Sequence, residues 1–403
     1  MENIFELTDE QLEEIANCLE DKINEGLKKD RSEILCIPTY ISPRKEISNE
    51  KVLALDWGGT NFRAAIVEFT KGKPQILETV IRTLSAQETN GFKQHGLFDA
   101  MANAISKLDI LDQTVTHIGY CFSYPAVARL NGDAVLLNWA KEISIADMLG
   151  EHKKPNDPNN IVGEPLVKYL NSRKDIIKTE FKNIKVINDT VACLFAGLSF
   201  SGYDNYAGLI VGTGTNMASL MRSDKIEKLN NKQTNLIPIN LESGNFHSPY
   251  LTIIDDLVDA TTNNKGVQRF EKAISGGYLG EIFKIYFVKE KIKYDFNGED
   301  LSKLIGIQND ADEKVQAARQ IAERSAKLVA ASITGLVQVL VKQDKNTQTI
   351  GLAVDGSVFW KTPNYKNQVE NQLKSLLPKG VTVKIFEQMS EPNLIGSAIA
   401  ALS

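Results

Sequence analysis

An aspartate set between two apolar runs, in KVINDTVACLFAGL (residues 185–198), is the first candidate for chemistry. Ile187 precedes Asn188-Asp189-Thr190, and Val191, Leu194, Phe195 and Leu198 follow at the i, i+3, i+4, i+7 spacing of a helix. Asp189 therefore lies where a buried strand hands over to a helix, walled by hydrophobic side chains. A carboxylate there can cap the helix, as Asn, Asp and Thr commonly do. It can also serve as a general base. These residues alone leave both roles open.

Two glycine turns are the second candidate. In KVLALDWGGTNFRAAIVEF (51–69) the turn carries Gly58, Gly59, Thr60 and Asn61. In NYAGLIVGTGTNMASLMR (205–222) it carries Gly212, Thr213, Gly214, Thr215 and Asn216. Such a turn lets backbone N–H groups converge on a phosphate with no Cβ in the way, and threonine hydroxyls add donors. One alone means little, since hairpins need glycine anyway. Two at matching points of a repeated pattern point to a nucleoside triphosphate clamped between two hairpins. Asp56, ending the strand before the first turn, would face those phosphates and could hold magnesium directly or through water. Its simpler role is to cap the turn.

The strands and helices around these residues show in the sequence pattern. Strands are expected at 52–56 and 63–69, and a third strand and a helix follow through Leu108. Another apolar strand covers residues 117–124. The two strand-turn-strand segments echo each other, which reads as a diverged internal duplication with one hairpin per lobe. The N-terminus predicts an amphipathic helix, with Thr8 and Gln11 as a capping box and Leu12, Ile15, Leu19, Ile23 and Leu27 as its stripe. EKVQAARQIAERSAKLVAASITGLVQVLVKQ predicts a long, mostly buried helix, in which Arg324, Lys327 and Gln338 argue against a membrane span. TIGLAVDGSVFW predicts a strand ending at Asp355, and a last helix runs from about Asn393 to the end. The polar stretch 150–165 reads as an exposed loop.

Composition narrows the classes of function. A chain of 403 residues is long for one core, so two lobes are expected. Hydrophobic residues make up 42% and charged residues 24%, as in an ordinary globular protein. The net charge of −5 argues against a nucleic-acid or anionic-membrane surface. The acidic start lacks the plan of a signal peptide. Cys18, Cys36, Cys121 and Cys193 show no metal or redox spacing, and neither do the four histidines. Reduced thiols in a cytoplasmic protein, monomeric or a homodimer, are expected.

The order of motifs carries a resemblance. CIPTYIS, LALDWGGTNFRAAIV, CFSYP, LLNWAKEI, VINDTVACL, GLIVGTGTNMAS, INLESGNF, RFEKAISGGYLGEI and AVDGSVF follow one another from about Cys36 to Phe359 as they do in the hexokinase family, with the family's spacing. The resemblance implies an α/β chain of the two-lobed, actin-like ATPase (ribonuclease H-like) fold, with a duplicated core and an inter-lobe cleft. It implies transfer of the γ-phosphate of MgATP to the 6-hydroxyl of glucose or a related hexose. Asp189 is then the general base, and Ser123, Lys141, Asn188, Asp189, Asn216, Glu242 and Glu271 contact the sugar. The ATP phosphates meet Asp56, Gly58, Gly59, Thr60 and Asn61 on one side and Gly212, Thr213, Gly214 and Thr215 on the other. Gly356 and Ser357 lie near the nucleoside.

The expected small lobe is 51–187, joined by the helix 393–403. The expected large lobe is 1–50 with 188–392. Sugar binding is expected to close the two. Three motifs depart from the family: Ala140 replaces the threonine before Lys141, Ser243 replaces a tryptophan after Glu242, and residues 392–396 replace a glycine-rich adenosine loop. These bear on sugar affinity and nucleotide choice more than on reaction type. The rival reading is a hexose sensor that keeps the cleft without catalysis.

Overall fold

Each glycine turn joins two antiparallel strands, and each hairpin is followed in its sheet by two parallel strands. The computed structural model describes residues 3–43, 49–58, 61–83, 96–124, 126–136, 159–230, 234–287 and 295–403. Its contacts divide the chain into two compact units. One holds Met1–Cys36, Gly202–Asn235 and Asn240–Met389; the other holds Ile37–Ser201, Leu236–Ile239 and Ser390–Ser403.

In the second unit a five-stranded sheet runs in the order Lys73–Thr83, Asn61–Thr70, Glu50–Trp57, His117–Phe122, Asn183–Ile187. The first three strands pair antiparallel and the rest parallel. Leu53, Leu55, Trp57, Phe62, Ile118, Tyr120 and Phe122 form its buried apolar face together with the helix Gly96–Ile105. Glu50–Trp57 is buried over six consecutive residues, as expected of a central strand covered on both faces. The C-terminal helix Pro392–Ala401 packs on the strand His117–Phe122 and on the helix Asp189–Gly197.

The first unit repeats the pattern. Thr215–Arg222 pairs antiparallel with Asn205–Val211, which pairs parallel with Thr349–Asp355, which pairs parallel with Thr382–Ile385. This matched pairing order is the physical content of the duplication. The helix Glu313–Gln343 is long and apolar enough by composition to cross a membrane, but 78% of its most apolar window is buried inside the fold. Much of its cover is the helix Asp9–Lys28, whose Leu12, Ile15, Leu19, Ile23 and Leu27 are all buried. The Thr8–Gln11 capping box forms as its sequence indicates.

Two boundaries differ from the sequence reading. By contacts, residues 37–50, 188–201, 236–239 and 390–392 group with 51–187; the helix Asp189–Gly197 packs against the C-terminal helix of that unit. The polar stretch 150–165 does not remain a loop to its end, since a helix begins at Gly163. Buried Asp133 makes that start possible: its carboxylate accepts the N–H groups of Gly163 at 2.7 Å and Glu164 at 2.8 Å. Residues 150–158 lie outside the described residues.

Candidate active site

The strand Asn183–Ile187 delivers Asn188 and Asp189 to the start of the helix Asp189–Gly197. Asn188 is the N-cap: its backbone is extended and its Oδ1 accepts the Thr190 N–H at 2.9 Å. Asp189 is the first helical residue, half-buried, with Oδ1 accepting the same N–H at 2.8 Å. Helix capping is therefore already supplied by the neighbouring asparagine, and a carboxylate is not required at 189 for that purpose. An anion there is also favoured by the helix dipole.

Asp56 lies in the same unit, 4% exposed, at the end of Glu50–Trp57. Burial raises its pKa to about 6; the Arg63 guanidinium and the side chains of Cys121 and Asn393 oppose the rise, and the charge of Asp189 adds to it. Arg63 Nη1 stands 3.5 Å from Asp56 Oδ2 and 2.5 Å from Glu391 Oε2. Asp56 Oδ1 is buried with no hydrogen-bond partner among the described residues. Ser123, half-buried, donates its N–H to Trp57 O, and a Cβ on Gly58 would come 3.8 Å from its hydroxyl. Asn61 is exposed and accepts from Thr83 Oγ1 at 3.0 Å. Asp56, Gly58, Asn61, Ser123, Asn188 and Asp189 thus all belong to the second unit. Gly59, Thr60, Ala140 and Lys141 lie outside the described residues. Asn393, within the stretch 392–396 read from sequence as replacing an adenosine loop, stands at Asp56, and the neighbouring Glu391 pairs with Arg63.

The first unit holds the other candidates, and Asn216 and Glu242 share one hydrogen-bonded set there. Asn216, one residue past the second turn, donates from Nδ2 to Asn240 Oδ1 at 2.7 Å and accepts Met217 N at 2.7 Å and Ser243 N at 3.1 Å. Asn240 Nδ2 donates to Glu242 Oε1 at 2.7 Å. Glu242 has a left-handed backbone, φ 57°, uncommon for a residue with a side chain. Glu271, on the helix Arg269–Ile274, accepts the Thr215 N–H at 3.0 Å. Its Oε2 lies 2.7 Å from where a Cβ on Gly214 would stand. Carboxylates and amides are side chains that read sugar hydroxyls, and here they adjoin a glycine turn suited to phosphate.

Thr215 itself is turned inward. Its amide serves Glu271, its hydroxyl donates to Ile210 O at 2.8 Å, and it is 6% exposed. Both its donors are engaged within the fold. Gly212 N–H likewise donates to Gly214 O. The turn is braced from outside by Gly276 and Gly277, whose N–H groups donate to Gly212 O at 2.7 Å and Thr213 O at 3.1 Å.

Gly356, φ 113°, sits against Val211 and lets the chain turn from the strand Thr349–Asp355 into Ser357–Lys361. Ser357 borders a cavity of about 520 Å³ lined also by Thr213, Gly276, Gly277, Asn297, Gly298, Glu299, Ser302 and Lys361. That volume suits a nucleoside. Sequence reasoning missed Asn240, Asn297 and Ser302. Each is an ordinary turn or surface residue by type, and the spacing of Asn297 to Asp300 marks only a helix cap.

Two family models, both described as hexokinase, match residues 1–198 and residues 206–299 with 293–403. Hexokinase-2 of Oryza sativa subsp. japonica is 28% identical over 449 residues, covering 97% of this chain and 87% of the relative. A solved Schistosoma mansoni hexokinase complexed with glucose superposes with TM-score 0.78 at 24% identity, over 99% of this chain and 97% of that one. A ROK family glucokinase from Streptomyces griseus, in complex with glucose and AMPPNP, gives TM-score 0.53 at 17% identity, over 87% and 99%. The structural likenesses show the fold, and the family models span nearly the whole sequence. The chain belongs to the hexokinase family, sugar-phosphorylating enzymes of the actin-like ATPase fold.

Proposed function

We propose that the protein transfers the γ-phosphoryl group of MgATP to the 6-hydroxyl of glucose or a closely related hexose. The observation that carries this reading is the bond between Glu271 and the Thr215 amide. It joins Glu271, a side chain suited to sugar hydroxyls, to the second glycine turn within one unit. Asn216, Glu242 and Glu271 hold the hexose, with Ser123, Lys141 and Asn188 adding contacts. Asp189 accepts the 6-hydroxyl proton as the oxygen bonds to phosphorus. The bond from phosphorus to the β,γ-bridging oxygen breaks and ADP leaves with that oxygen. Phosphoryl transfer asks the protein chiefly for positioning and charge stabilisation, and these residues offer both.

In the second turn, the donors open to phosphate narrow to the Thr213 and Gly214 N–H groups and the Thr213 hydroxyl, because Gly212 and Thr215 are committed to the fold. The first turn, Gly58 to Asn61, meets the phosphates from its own unit. The 520 Å³ cavity beside Ser357 takes the nucleoside. Magnesium, when bound, neutralises phosphate charge. The unpartnered Oδ1 of Asp56 fits a ligand to it, directly or through water. Among the described residues no three His, Cys, Asp or Glu side chains converge on a metal, so phosphate and water would complete its shell.

A coupled ADP-release assay across a panel of hexoses tests the proposal. Glucose, or a hexose differing from it at one centre, should stimulate ADP release with saturation, and 6-deoxyglucose should not. Release that ignores every hexose, or proceeds equally with 6-deoxyglucose, would refute it.

A further inference from the structure

Asn240 ends the strand Leu236–Asn240, 5% exposed. It makes one bond typical of a turn: its Oδ1 accepts the Glu242 N–H at 3.3 Å. A turn-forming asparagine needs no more than that. The same side chain makes two further bonds that a turn does not require. Oδ1 also accepts from Asn216 Nδ2, and Nδ2 donates to Glu242 Oε1, both at 2.7 Å. Asn216 Oδ1 is meanwhile held by the N–H groups of Met217 and Ser243. The orientation of the Asn216 amide is fixed, and so is that of the Asn240 amide it meets. Asn240 must present its N–H₂ to Glu242, and so faces that residue's carboxylate as a donor.

We propose that Asn240 is a positioning residue for hexose recognition. Its amide locks the Glu242 carboxylate and the Asn216 carboxamide into one arrangement, and so sets their affinity for sugar. The inference rests on the reading that Asn216 and Glu242 contact the hexose. Only an amide serves at this position. A carboxylate keeps both acceptor bonds but turns the donor to Glu242 into a second acceptor, placing two anions at hydrogen-bond distance. The other nearby carboxylate, Glu271, is engaged with Thr215 and is common to every variant compared.

The test is Asn240→Asp, measured as the ratio of its glucose KM to the wild-type value from pH 6 to 8.5, with Tm at each pH. The KM should be raised roughly tenfold or more at pH 8, the range for losing a bond to a charged group, with ATP KM unchanged. The ratio should fall as pH drops, because the new carboxyl and Glu242 can share a proton. Should this variant fail to fold, Asn240→Ser should raise glucose KM severalfold at every pH, without that slope. A folded Asn240→Asp enzyme with wild-type glucose KM or a flat ratio, or a folded Asn240→Ser enzyme with wild-type KM, would overturn the inference. Glu242→Gln separates the levels. If it leaves glucose KM unchanged, the sugar-site reading has failed. If it raises KM while the Asn240 variants do not, only the positioning role has.

Discussion

The Asp56 carboxylate is buried beside Arg63, and burial lifts its pKa from 3.8 to about 6. The sign of the consequence follows from linkage. Below pH 3.8 the group is protonated in both states. Between 3.8 and about 6 the unfolded chain gives up the proton while the native protein keeps it, so stability falls as pH rises through that window. Above it the native state carries the full cost of the buried charge. Asp56→Asn should therefore stabilise the protein at pH 8, by about 3 kcal/mol at most, and by little near pH 4. Thermal melts at the two pH values decide it; equal shifts at both would contradict the burial argument. If Asp56 serves magnesium as proposed, activity should fall in the same variant. At residue scale the sequence identified Asp189 but left two roles open. Geometry assigns the N-cap to Asn188, which no residue pattern could have distinguished, because Asn and Asp cap about equally well.

The second turn is an element held from three sides: by Glu271 at Thr215, by Gly276 and Gly277 at its carbonyls, and by Gly356 behind it. Two substitutions should separate its structural and functional constraints. Gly356→Ala places a Cβ 2.3 Å from Val211 backbone atoms at φ 113°, so it should lower stability by roughly 1–3 kcal/mol, read as Tm. For Gly214→Ala the nearest atoms are those of the Glu271 carboxylate, a side-chain end at 2.7 Å. It should lower Tm less than Gly356→Ala does, while raising glucose KM. The reverse ranking of Tm losses would contradict this account of the turn. Both hairpins, the helix Glu313–Gln343 and the N-terminal helix with its capping box were legible from sequence, because alternation, helical period and cap chemistry are local signals. The helix start at Gly163 was not, because its N–H groups are satisfied by Asp133, thirty residues away in sequence. Asn240 escaped for the same reason: its partner Asn216 is distant in sequence, and only folding joins them.

At the scale of the whole molecule, the repeated strand pairing gives each unit one glycine turn, and the candidate residues divide between the units. Asp189 and Asn188 belong to one, Asn216, Glu242 and Glu271 to the other. If both serve one hexose, glucose at a hundredfold excess over Kd should stabilise the chain by about 2.7 kcal/mol. Glu242→Gln and Asn188→Ala should each reduce that increment in thermal melts, whatever they do to the baseline. An increment lost in one variant and intact in the other would confine sugar binding to one unit. The central claim is chemical, and one measurement reaches it most directly: the phosphorylated product formed from glucose and MgATP by the wild type and by Asp189→Asn, with glucose binding and Tm checked in both. One glucose 6-phosphate per ADP is expected from the wild type. In the variant kcat should be at least ~10² lower, the range for a lost general base, with fold and glucose binding kept. A variant that makes glucose 6-phosphate at near wild-type rate would return Asp189 to a structural role, and a wild-type protein that binds glucose without phosphorylating it would make the chain a sensor.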